Sequence, residues 1–142
     1  VPTNRQGALK ASLAAIYGLL NVSSLLTLAP GGVHHGEASP NETRDYLVLQ
    51  APTAERWDAM RSPGERQFVQ LSAVTFKPGY GQALEIIEEA QRLVDGERPT
   101  IAGHLCVQLR WVDTVSFRDP ELVAGRTSHR AVATFELLVD QV

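Results

Sequence analysis

The last forty residues alternate between apolar and polar positions in two long runs. From His104 to Phe117 one parity reads Leu105, Val107, Leu109, Trp111, Asp113, Val115 and Phe117, and the other reads His104, Cys106, Gln108, Arg110, Val112, Thr114 and Ser116. After a polar connection beginning Arg118-Asp119-Pro120-Glu121, residues Arg130 to Val139 repeat the pattern, with Ala131, Ala133, Phe135, Leu137 and Val139 on one side. A period of two predicts antiparallel strands with one face on a core and the other free. Both runs exceed the usual strand of about five or six residues, which is more than a small core needs.

The rest of the chain reads in the same way. Asn4 to Leu20 carries Leu9, Leu13, Ile16, Tyr17 and Leu20 at spacings of three and four, predicting a helix capped by Thr3 or Asn4. Asn21 to Leu28 predicts a second short helix, or the first one continued after a kink, ended by Pro30-Gly31-Gly32. Val33 to Glu37 and Tyr46 to Gln50 read as short strands, and Pro52 to Gly64 as a polar loop too long for a tight turn. Arg66 to Lys77 predicts a third long strand. Its two parities are both apolar, with Phe68, Val74 and Phe76 on one and Val69, Leu71 and Ala73 on the other, as in a central strand or one covered by a partner. Gly81 to Val94 is an amphipathic helix, with Ala83, Leu84, Ile86, Ile87, Ala90 and Val94 inward and Glu85, Glu88, Glu89 and Arg92 outward. No repeat or composition shift divides the 142 residues, so one domain over 1–142 is expected.

Composition narrows the classes. The chain is 44% hydrophobic and 20% charged, as in ordinary globular proteins. A net charge of -3 argues against binding nucleic acid through the bulk field, which needs a basic surface. No apolar run reaches the roughly 18 residues of a membrane span, and the Ala8–Leu28 stretch, broken by Lys10, Ser12, Asn21, Ser23 and Ser24, reads as structure rather than a signal peptide. The single cysteine, Cys106, excludes an intramolecular disulfide and fits a reducing compartment.

Residues with catalytic or ligand chemistry do not form convergent sets. His34 and His35 are adjacent on a strand, so their side chains diverge, and no cysteine or carboxylate set accompanies them. Ser128-His129 with Asp113 or Asp119 has the composition of a hydrolytic triad but lacks a nucleophile elbow. Glu85, Glu88 and Glu89 are the solvated side of a helix, and Cys106 has no base nearby in sequence. Gly31-Gly32 and Gly79-Tyr80-Gly81 match no phosphate-binding loop. No enzyme activity, metal or cofactor is expected from these residues.

Two segments stand out as candidate contacts. Trp57 and Met60 are large apolar residues among Glu55, Arg56, Asp58 and Arg61, which suits a contact site or a loop folded back on its own domain. In Arg118-Asp119-Pro120-Glu121-Leu122-Val123-Ala124-Gly125-Arg126, the apolar Leu122 and Val123 either cap the sheet or meet a neighbour. Glu55, Arg56, Trp57, Met60, Arg61, Arg118, Leu122, Val123 and Arg126 are the candidate interface residues.

Nearly the whole chain resembles the tail-completion, or tail-terminator, proteins of long-tailed bacteriophages of the siphovirus type. The resemblance is carried by an ordered set: the helix Ala8-Leu9-Lys10-Ala11-Ser12-Leu13; Gly32-Val33-His34-His35; Pro40 followed by Asp45-Tyr46-Leu47-Val48-Leu49; the strand Gln67–Phe76; the helix Gln82–Leu93; the strand Val107–Phe117; and Phe117-Arg118-Asp119-Pro120 leading to Thr127-Ser128-His129-Arg130-Ala131-Val132-Ala133-Thr134-Phe135. Phe76-Lys77-Pro78-Gly79 stands where the family usually has a Trp-Ser type ending. The resemblance implies an α+β fold, an antiparallel sheet of long strands with two main helices packed on one face. It implies a non-enzymatic virion protein at the head-tail junction, assembled in the host cytoplasm. The role the resemblance implies there is a ring, commonly a hexamer, that caps the tail tube, stops its polymerisation and joins the tail to the head connector or adaptor. The resemblance further implies that DNA crosses the lumen without specific binding, with no membrane or cofactor involved.

Two other readings compete. Ala73-Val74-Thr75-Phe76-Lys77-Pro78-Gly79 before an amphipathic helix resembles a unit of dimeric α+β-barrel monooxygenases, although the leading helix and the missing His/Asn/Trp pocket set depart from that group. A head-side adaptor protein shares the locale and differs in its partner.

Overall fold

A computed structural model describes residues 7–58, 63–123 and 125–141. The element order is α1 (Leu9–Leu20), α2 (Ser23–Leu28), β1 (Val33–His35), β2 (Tyr46–Leu49), β3 (Thr53–Arg56), β4 (Gly64–Thr75), α3 (Gly81–Val94), β5 (His104–Arg118) and β6 (His129–Gln141). The strands form one six-stranded sheet in the order β1-β2-β4-β6-β5, with β3 pairing β4 beside β2. All pairs are antiparallel except β1 with β2, so the sheet is mixed rather than wholly antiparallel. The parallel pair follows from chain direction, since ten residues separate β1 from β2 and carry the chain back to the starting end.

The helices share one face of the sheet. Ile16 and Leu20 of α1, Leu25 of α2 and Ile86 and Ile87 of α3 close on Leu71 and Phe135 in the main core. Each such side chain contributes about 1.5–3 kcal/mol by leaving water. The inward stripe expected for α3 is the one observed, with Ala83, Ile86, Ile87, Ala90 and Val94 buried. Asp95 and Gly96 stop the helix, and Gly96 takes a φ of 80° that suits glycine. Helix α1 begins at Leu9 rather than Asn4 among the described residues; the caps expected from Thr3 or Asn4 lie outside them.

Two expectations are corrected. The segment 52–64 is not a loop throughout: Thr53–Arg56 forms β3 against Phe68–Glu65 of β4. All four β3 residues are exposed, so no apolar periodicity marks the strand. Gly64 permits this turn because a Cβ there would lie 2.4 Å from the Trp57 carbonyl oxygen and 2.5 Å from that of Val139.

The second correction concerns β5. Its register against β6 shifts between Cys106 and Gln108 and again between Trp111 and Asp113. Each bulge inserts one residue and reverses the parity beyond it. Cys106 therefore points into the core with Leu109, while Leu105 is 59% exposed. Burial pushes the Cys106 thiol up from its ordinary value, which keeps it protonated and unreactive. The folded protein is expected to resist a thiol reagent at pH 8 and to react fully once unfolded in urea; prompt labelling of the native chain would contradict the buried placement.

Candidate assembly surface

Beyond the second bulge β5 outruns the core. Every residue from Arg110 to Arg118 is exposed except the half-buried Thr114. Trp111, Val112, Val115 and Phe117 are 38%, 41%, 56% and 39% exposed, an apolar concentration on an outer strand. The sequence breaks its alternation here at Val112 and Asp113, where the bulge falls. Val115 and Phe117 sit on the sheet face opposite the helices, level with Val132 and Arg130 of β6.

That open face has a small apolar cluster of its own at the β2 side. Tyr46, Val48 and Val74 are buried there, with Ala38 and Phe76 packed against them. The His34 ring meets Tyr46 edge-on at 5.6 Å and its Nε2 lies 2.7 Å from the Gly31 carbonyl oxygen. The His35 ring turns to the other side and stacks on Tyr17 at 5.1 Å. The two histidines thus diverge, as their adjacency requires.

The lower part of the open face carries a row of alternating charges. Arg66 donates to Glu55 at 3.1 Å and lies 3.7 Å from Glu136, which accepts from Arg110 at 3.0 Å. The row crosses β3, β4, β6 and β5, so it ties four strands together. Its exposed pairs are worth little singly, and the network limits the side-chain entropy lost per pair.

Charged and polar groups hold the β5–β6 connection. Asp119 accepts from Ser128 Oγ and, at 3.1 Å, from Arg130 Nε. His129 instead meets the Tyr80 ring edge-on, so the Ser128, His129 and Asp119 side chains form no relay. Arg126 lies over the Phe76 ring at 4.7 Å and donates to the Thr43 carbonyl at 3.1 Å. Nearby, hydrogen bonds from Arg44 hold the Glu42 carboxyl down at about 2. Glu85 and Glu88 are exposed, and half-buried Glu89 pairs with Arg92 along the helix.

The candidate interface residues fall into two separate groups. Glu55 and Arg56 lie on β3 and Trp57 just after it, at the end of the sheet where β4 begins. Trp57 is half-buried and packs on Gly64. Met60 and Arg61 lie outside the described residues. Arg118, Leu122, Val123 and Arg126 lie at the opposite end, where β5 turns into β6. Leu122 is 66% exposed and Val123 half-buried, bridged to Arg126. Missing from that set are Trp111, Val112, Val115 and Phe117. Their signal was present in the excess length of the strand and in Val112, an apolar residue at a polar position, which marks the bulge.

The family model described as "Tail completion protein gp17" matches residues 14–140. Among solved structures, a chain from the virion of a native gene transfer agent (GTA) particle aligns with a TM-score of 0.82 at 17% identity, covering 96% of this chain and 99% of that one. At that identity the likeness is one of fold. No curated protein matches.

Proposed function

We infer the role of this chain from the family to which it belongs, that of tail completion protein gp17. It is a structural, non-enzymatic protein of a phage-type virion tail. Within that role we propose that copies of the chain form a ring that caps the tail tube, stops its growth and joins it to the head-side connector, leaving a lumen for DNA. The observation that carries this reading is the outer strand β5, on which Trp111, Val112, Val115 and Phe117 remain 38–56% exposed in the protomer. A lone protomer gains nothing from such a strand, whereas a head-to-tail contact that closes by rotation buries it once per copy. A net charge of -3 suits a passage through which DNA must slide, because phosphate-neutralising contacts would hold it.

The test is polymerisation of the tail-tube protein with increasing amounts of this chain. Tubes are expected to shorten to a limiting length, with the chain found at one end by electron microscopy. Unrestricted tube growth with the chain in excess would overturn the capping role.

A further inference from the structure

Two strand edges of the sheet match each other level by level. Successive pairings link Val33 to Leu47, Ala73, Ala131 and Ser116, and link His35 to Leu49, Leu71, Ala133 and Thr114. The outer strand β1 therefore stands at the same height as residues 114–116 of β5 on the far side of the sheet. Strand direction also fits. β1 runs with β2 and β6, whereas β5 runs with β4 in the opposite sense. A second copy turned about an axis along the strands would bring its β5 beside β1 in antiparallel alignment.

The backbone groups fall in the same phase. The Gly32 carbonyl accepts from Leu47 and the Gly36 amide donates to Leu49, so residues 32, 34 and 36 face β2 and, by alternation, Val33 and His35 face outward. On the other edge Asp119 donates its amide to the Ser128 carbonyl. Counting back by twos, Phe117 and Val115 face β6, while Ser116 and Thr114 face outward. Val33 would then meet Ser116 as a hydrogen-bonded pair and His35 would meet Thr114 chiefly through its amide, since its carbonyl already accepts from Glu37 at 2.9 Å, with His34 and Val115 as the closer pair between them.

Side chains support the same occupant. His34 and Val115 both belong to the open face, since pairing links His34 through Val48, Ser72 and Val132 to Val115. Phe117 would come to the level of Gly32, which has no side chain, beside the Tyr46–His34 pair. The exposed Val115 and Phe117 would thereby extend the small apolar cluster of Tyr46, Val48 and Val74. Lower down, the β5 edge is already occupied: Gly96 donates to the Leu109 carbonyl and Asp95 accepts from the Trp111 amide. Below β1 the opposite edge steps back to β3, leaving room for that bump.

We propose that successive copies of this chain join by antiparallel strand addition, the 114–116 stretch of β5 in one copy pairing with Val33–His35 of β1 in the next. The joint rests on the ring reading above and specifies the surface that makes it.

Disulfide trapping tests it, in a Cys106→Ala background whose fold is checked by circular dichroism. His34→Cys in one preparation and Val115→Cys in another should each form no covalent dimer under mild oxidation, and their mixture should give one. The chain carrying both substitutions should give a ladder of covalent oligomers that ends in a closed ring without free thiols. If rings are visible by electron microscopy but the mixture gives no disulfide, the joint lies elsewhere and the ring stands. Disulfide formation by either single variant alone would mean a two-fold contact and overturn the head-to-tail joint. If the wild-type chain forms no closed assembly, alone at high concentration or on tail tubes, the ring and the joint both fail.

Discussion

Replacing Val115 and Phe117 together by aspartate should leave the isolated chain folded and abolish its assembly. Val115 is 56% and Phe117 39% exposed in the protomer, so the folded state loses far less than from a core change when they become polar; surface changes usually cost within about 0.5 kcal/mol. In the proposed ring the same positions are covered by a neighbour's β1. Two buried, unpaired carboxylates per joint carry a desolvation cost of several kcal/mol each, enough to dissolve a contact repeated at every subunit. Sedimentation or light scattering of the variant, beside its urea melt, checks both halves. A variant that still forms rings would show that this face stays open to solvent.

The second large effect separates two aromatic residues that sit opposite each other. Trp111 of β5 and Phe135 of β6 are registered partners on the helix-bearing face, yet Phe135 is 1% exposed and Trp111 38%. Phe135→Ala opens a cavity in the main core and should cost about 3–5 kcal/mol, a large part of the roughly 5–15 kcal/mol that holds a domain together. Trp111→Ala should cost far less, since it removes one exposed ring and its 2.8 Å bond from Nε1 to Thr114. Urea denaturation of the two variants gives the comparison. Equal losses would place Trp111 in the core.

These expectations depend on how the sheet is cut off from its helices. Three helices cover strands β2, β4 and β6 and reach only the first half of β5. Apart from the break at Val112 and Asp113, the apolar positions of this strand resemble those of Ala131 to Leu137, and the sequence does not distinguish a strand that a helix covers from one that another molecule covers. Similarly, β4 was recognisable as doubly apolar, and its second face proved to be covered partly by the small cluster around Tyr46 and Val74. The strand Thr53–Arg56 left no mark because all its residues face water, and a strand held by backbone bonds alone has no hydrophobic period to read.

The candidate contact residues show the same limit. Glu55 and Arg126 were grouped by their chemistry, but the fold sends one to the start of β4 and the other to the turn beyond its end. Ser128 and Asp119 do meet, through a hydrogen bond that closes a loop, and His129 is drawn away to Tyr80. Sequence separation says which groups can converge, whereas their directions depend on bulges and turns.

By itself the sequence determined the elements that carry a hydrophobic period: the amphipathic α3, the long strands and the order in which they follow, because burial of one face imposes its spacing on the residues that form it. Only the tertiary structure decided which of those faces the protein covers for itself. The first bulge in β5 turned Cys106 inward and Leu105 outward, and the second sent Val115 and Phe117 to the sheet face that no helix covers. A bulge is one inserted residue, which breaks the period at one position without saying which way the strand then turns, and the choice of the face the helices cover is a matter of packing that no period records.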